Sequence, residues 1–131
     1  MEHNRHYMNI AKRLIRTKEK FEDIAASDVK IAYLSSQMER KKDKGLVYGE
    51  CTKVDKRYKW CCHYDFFITI YEPNIAGFTE KQLEILIEHE LEHVGIDWSG
   101  NEVKYYIVPH TVQDFRDIID EYGIDWSDKD A

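Results

Sequence analysis

The chain has no run of about eighteen apolar residues, so no transmembrane helix is expected. Its first stretch, MEHNRHYMNIAKRLIRTKEKF, holds no continuous apolar segment and no small-residue cleavage site, so it does not read as a secretory signal. Cysteine is scarce. Cys51, Cys61 and Cys62 are odd in number and two are adjacent, which argues against a disulfide framework and for reduced thiols in the cytoplasm. No C-x-x-C spacing is present, so a structural cysteine–zinc site is not expected. Read as a strand, Cys61 and Cys62 would point to opposite faces. Internal repeats, low-complexity segments and linkers are absent.

The composition is that of a globular protein. Of 131 residues, 43% are hydrophobic and 13% aromatic, enough for a core and too many for a disordered chain. The expectation is one domain over residues 1–131. Charge is unevenly spread: residues 1–60 hold 15 Lys+Arg against 9 Asp+Glu, and residues 61–131 hold 4 against 16, within a net charge of −6. A basic half suits an acidic partner such as nucleic acid. No nucleic-acid motif accompanies it, and acidic residues clustering near a cation site and on two acidic helices explain the other half.

Periodicity predicts an α+β fold. Tyr7, Ala11, Leu14 and Ile15 recur at helical spacing within a first helix over about 4–20. Strands follow at Val29–Leu34, Leu46–Val54 and within Tyr58–Tyr71, where Phe66, Phe67, Ile68, Thr69, Ile70 and Tyr71 have β-branched and aromatic character. Turns are expected at Glu39–Gly45 and at Asp55–Arg57, and Pro73, Asn74 and Gly77 break the pattern. Thr79-Glu80-Lys81-Gln82 reads as a capping box opening a second helix, apolar on more than one face, with Gly95 as its stop. A short strand at Tyr105–Val108 and a final helix over about 112–122 complete the expected architecture: N-terminal helix, small three- to four-stranded twisted sheet, central helix, short C-terminal helix.

The second helix carries His89-Glu90-Leu91-Glu92-His93, the pattern H-E-x-x-H. At 3.6 residues per turn the two imidazoles share a face and can grip one metal ion, with Glu90 beside them to act on a water. Chance would give about 0.03 occurrences in a chain of this composition, and apolar Ile85, Leu86, Leu91, Val94 and Ile96 surround the motif, unlike an ordinary solvated face. The chemistry implied is metal-assisted hydrolysis, with zinc as cofactor.

A catalytic zinc site needs a third protein ligand. Asp97, Glu102, His110 and Asp114 are the candidates downstream. His110 matches zinc chemistry best and sits between Pro109 and a helix start at Thr111. Asp97, four residues past His93, would align with both His only if the helix continued. It and Asp114 are better placed to orient ligand imidazoles. Tyr105, Tyr106 and Tyr122 are candidates for stabilising an oxyanion.

The order of DFFITI, a capped helix with HELEHVGID, and PHTVQDFRDIIDEYGIDW resembles the putative phage metallopeptidase family, from the first helix through Trp126. Members tend to carry a His-Asp pair before the Asp-Phe helix. Here Thr111 follows His110, which keeps the ligand and removes one carboxylate that could orient it. The layout is also similar to minimal zincins of the SprT-like and ImmA/IrrE-like kinds. That resemblance implies a sheet packed on the motif helix and an edge strand, here Phe66–Tyr71, that pairs with an extended peptide or protein substrate.

Two functions lead, ahead of a peptidase that acts near DNA through the basic half, as the SprT-like resemblance would imply. One is a cytoplasmic, phage- or prophage-encoded zinc peptidase with Glu90 as general base. The other is a non-catalytic binding or inhibitor protein on a repurposed peptidase fold, which the small size of the chain suits. No membrane partner is expected, and nothing in the sequence signals an oligomeric state.

Overall fold

A computed structural model describes residues 1–42 and 45–109. His110, Asp114, Tyr122 and the helix expected over about 112–122 lie outside the described residues. Within them the chain is α+β, as its periodicity predicts. The elements run β1 (Glu2–His3), α1 (Arg5–Thr17), a 3-10 turn (Glu19–Phe21), α2 (Glu22–Ala26), β2 (Ile31–Ser36), β3 (Lys41–Lys42), β4 (Gly45–Leu46) and β5 (Gly49–Lys53). A second 3-10 turn (Lys56–Tyr58), β6 (Phe66–Tyr71), a third (Glu72–Ile75), α3 (Glu80–Leu91), β7 (Val94–Asp97) and β8 (Lys104–Ile107) follow. None of the described helices is long and apolar enough to cross a membrane.

α1 and α3 each begin where the sequence supplies a cap. Asn4 accepts a hydrogen bond from the Tyr7 amide at 3.0 Å and opens α1. Tyr7, Ile10, Ala11 and Leu14 form its buried stripe, with Ile15 half-buried at the margin. The helix ends at Thr17, three residues short of expectation, because Lys18 turns extended. The 3-10 turn that follows buries Phe21. Thr79 opens α3 with the expected reciprocal bonds: its hydroxyl accepts from the Gln82 amide at 3.1 Å, and its own amide donates to Gln82 Oε1 at 2.8 Å.

The main sheet has the order β1-β2-β6-β5. β2 and β6 run parallel with Ile31 opposite Phe66, and β5 pairs antiparallel with β6, Gly49 opposite Ile70. Phe66, Ile68 and Ile70 are fully buried in the core, together with Leu14, Ile87 and Leu91. β6 is therefore an interior strand, hydrogen-bonded on both sides. This corrects its expected role as the edge that receives substrate: its apolar residues mark the middle of the sheet, and β5 is the edge. Cys61 and Cys62 lie in the loop after the Lys56–Tyr58 turn and not on a strand.

Beyond α3 the chain departs from expectation again. The helix stops at Leu91, and Gly95, expected as its stop, lies inside β7 opposite Tyr106 of β8. A side chain at Gly95 would place its Cβ 2.5 Å from the Tyr106 ring. The glycine is there so that the ring can lie on the strand.

The end of α3 is tied to the N-terminal segment by charge. Glu88 is wholly buried, and its two carboxylate oxygens meet Lys18 Nζ at 3.4 Å and Lys20 Nζ at 2.7 Å. Lys20 also reaches Glu92 at 2.9 Å. Removing one partner of a buried ion pair exposes the other to its full desolvation cost. Lys20 keeps some contact with water, so Lys20→Ala should cost about 2 kcal/mol in urea denaturation, below the fully buried case. Adding Glu88→Gln should recover part of that loss. A double variant less stable than Lys20→Ala alone would show that the buried charge is not the source.

Candidate metal-binding cleft

His89 and Glu90 occupy the last turn of α3, and His93 lies in the turn between α3 and β7. The motif thus sits at the very end of its helix, which stops at Leu91 rather than running on toward Gly95. Helical spacing survives because the turn stays helical in character. The Glu92 amide donates to Glu88 O at 3.2 Å, and the His93 amide donates to Glu90 O at 3.1 Å. The His89 and His93 rings come to 5.4 Å between centroids, inclined at 74°. All three side chains are nearly buried: His89 8%, Glu90 4%, His93 7% exposed.

The backbone beyond the motif fixes one imidazole. His93 Nδ1 lies 2.6 Å from Val108 O, just past β8, and the Val108 amide returns a bond to His93 O at 2.8 Å. A carbonyl can only accept, so Nδ1 carries the proton and Nε2 becomes the ring's lone-pair nitrogen. Metal-ligating histidines are commonly held this way. Asp97, expected to orient an imidazole, instead accepts from the Ser99 amide at 2.9 Å and its hydroxyl at 2.6 Å, bonds that hold its carboxyl below the usual range. Because β7 is extended, Asp97 is not carried on one helical face with the two histidines.

His89, Glu90 and His93 open onto a cleft of about 620 Å³. One wall is β5, from Gly49 to Thr52, and the rim carries Arg40, Leu46 and Tyr48 from the β3–β4 hairpin and the residues flanking it. Two groups anchor that hairpin. Asn74 donates to Arg40 O and Val47 O at 2.8 and 2.7 Å, and Arg40 Nε meets Glu50 at 2.7 Å. Glu50 also accepts from the Tyr71 hydroxyl at 3.0 Å. Burial, then this carboxylate, pushes that phenol up.

Gly49 is a site residue that sequence reasoning missed. A Cβ there would stand 3.1 Å from Ile70 Cδ1, 3.2 Å from Thr69 O and 3.4 Å from Glu90 Oε2. The strand therefore gives up a side chain where the Glu90 carboxylate approaches it. A glycine after a tyrosine in a predicted strand was the only sequence hint. Next to it, burial pushes the Cys51 thiol up, and the Glu90 charge adds to the shift, so Cys51 stays a neutral thiol beside the carboxylate. Tyr105 and Tyr106, the expected oxyanion candidates, do not line this cleft. Tyr105 packs edge-on against Phe66 at 5.9 Å and Tyr106 covers Gly95. Tyr48 is the tyrosine on the cleft wall.

The donor set fits a zinc ion. Zinc–nitrogen bonds of about 2.0–2.1 Å in a tetrahedral site put two ligand ring centroids roughly 5 Å apart, close to the separation seen. Among the described residues no group of three or more His, Cys, Asp or Glu forms a metal-holding cluster. His110, the expected third ligand, follows Pro109, which itself lines the cleft.

Fold and cleft together define an α+β protein with a two-histidine, one-glutamate site. The chain belongs to the putative phage metallopeptidase family, whose model matches residues 1–129. No curated protein and no solved structure matches it. The crowding at Gly49 predicts that Gly49→Ala destabilises the fold by about 1–2 kcal/mol, since the Thr69 carbonyl cannot move as a side-chain tip can. Unchanged thermal unfolding of that variant would show that β5 yields easily beneath Glu90.

Proposed function

We propose that this protein is a zinc-dependent peptidase, phage- or prophage-encoded and acting in the cytoplasm. The observation that carries the reading is the buried Glu90 carboxylate. It lines the same cleft as two close histidines, walled by an edge strand, in a chain of a metallopeptidase family. His89 and His93 would hold the ion, with His110 as third ligand.

Bound zinc lowers the pKa of water and polarises a carbonyl. The protein's own groups do the rest. Val108 O keeps the His93 ring in the tautomer that presents Nε2. Glu90 takes a proton from the attacking water and passes it to the leaving amine. Gly49 leaves room for that carboxylate. Substrate would lie extended along the open edge of β5, with main-chain hydrogen bonds replacing those of a missing strand. The free thiols Cys51, Cys61 and Cys62 suit a reducing compartment.

Glu90→Gln should retain zinc and lose peptide cleavage by a factor of about 10² or more, followed with a quenched peptide library. Equal turnover in wild type and variant would remove Glu90 from the role of base. For the third ligand, zinc should raise the melting temperature of wild type and of Asp97→Ala, but hardly that of His110→Ala. The reverse pattern would assign the ligand to Asp97.

A further inference from the structure

The loop from Lys53 to Trp60 takes no part in the cleft chemistry, yet its composition is unusual for a surface connection. Trp60 is 84% exposed and Tyr58 50%, the indole being the most exposed large apolar side chain among the described residues. Around them stand Lys53, Lys56 and Arg57. A second cleft, of about 370 Å³, is lined by Lys53, Lys56 and Lys104 over Val54 and Tyr105. Arg57 and Lys59 are engaged by Asp55 at 3.5 Å and Asp65 at 2.6 Å. Among the described residues Lys53, Lys56 and Lys104 are in no ion pair, and Glu102 is the other carboxylate of that cleft beside Asp65.

We infer that this surface binds single-stranded nucleic acid. Lys104 has Asp97 opposite it across β7 and β8, but Lys53 and Lys56 are in no ion pair. The cleft's four lysines outnumber its two carboxylates, which favours a polyanion, while exposed aromatic faces call for flat rings to stack on them. Phosphates and unpaired bases supply both in one ligand. An acidic peptide would satisfy the lysines and leave the indole and phenol faces in water. A duplex keeps its base faces stacked internally, out of reach of Trp60. Arg57 already lies 5.3 Å over the Tyr58 ring, a pairing that braces an aromatic platform. The lysine cleft then tracks the backbone while Trp60 and Tyr58 take bases. The protein's net charge of −6 opposes polyanions at long range, so the attraction is local and screened by salt.

The test is fluorescence anisotropy of fluorescein-labelled oligo(dT) and oligo(U) of ten nucleotides, with quenching of tryptophan emission followed in parallel. Contacts from three lysines predict a log–log salt slope of about −2. Trp60→Ala should weaken binding roughly tenfold and remove most of the quenching. Lys53→Glu/Lys56→Glu/Lys104→Glu should abolish binding. All four side chains are exposed, and circular dichroism verifies the fold. Stronger binding of one oligonucleotide identifies DNA or RNA as the source. The inference fails if neither binds, if Trp60→Ala binds like wild type, or if polyglutamate or phosphatidylserine vesicles compete as well as the oligonucleotides.

Discussion

The ion cluster that joins Lys18 and Lys20 to Glu88 governs the geometry of everything after it. Glu88 is the residue before His89, wholly buried, and its carboxylate pairs with a segment some seventy residues earlier in the chain. That pairing fixes the last turn of α3 against the N-terminal elements. Glu92 shares Lys20, so both ends of the His89–Glu90 dipeptide are restrained by one ammonium group. A metal site tolerates little looseness, because each ligand must be held near its final position before the ion arrives. Here the restraint on the motif is electrostatic on one side and, through Val108 and β8, a backbone hydrogen bond on the other.

The strands around the motif divide the remaining work. β6 buries its side chains and supplies the rigid middle of the sheet. β5 ends the sheet among the described residues and gives up a side chain at Gly49, where Glu90 approaches. β7 and β8 return the chain to the cleft, where Ile107 and Pro109 close its far side. Away from the histidines, Lys53 at the end of β5 and Lys104 at the start of β8 mark the start of the basic surface. The histidine cleft and the cationic cleft thus draw on successive stretches of β5 and β8.

Local chemistry was legible in the sequence; pairing partners were not. The capping box at Thr79, the α1 stripe and the apolar run of β6 depend on residues close together in the chain, and each stands where periodicity predicts. The neighbours of β6 depend on long-range pairing, which no local pattern encodes, so an interior strand read as an edge. Gly95 looked like a helix stop because its packing partner, Tyr106, comes from another strand. Asp97 would share a face with the histidines only if the helix continued, and the chain is extended there; Tyr105 and Tyr106 stand on the strand expected for them but pack against Phe66 and Gly95. Glu90 and the two histidines were found by their pattern. Gly49 carries no chemistry of its own and is recognised only from what lies above it.

The central claim is that the end of α3 is built to hold a metal ion. Metal analysis of the full-length protein, purified without chelator and then dialysed against zinc, tests it most directly. The wild type should carry one zinc per chain and His89→Ala/His93→Ala close to none. A wild-type protein that holds no zinc after dialysis, or a double variant that holds as much, would contradict it.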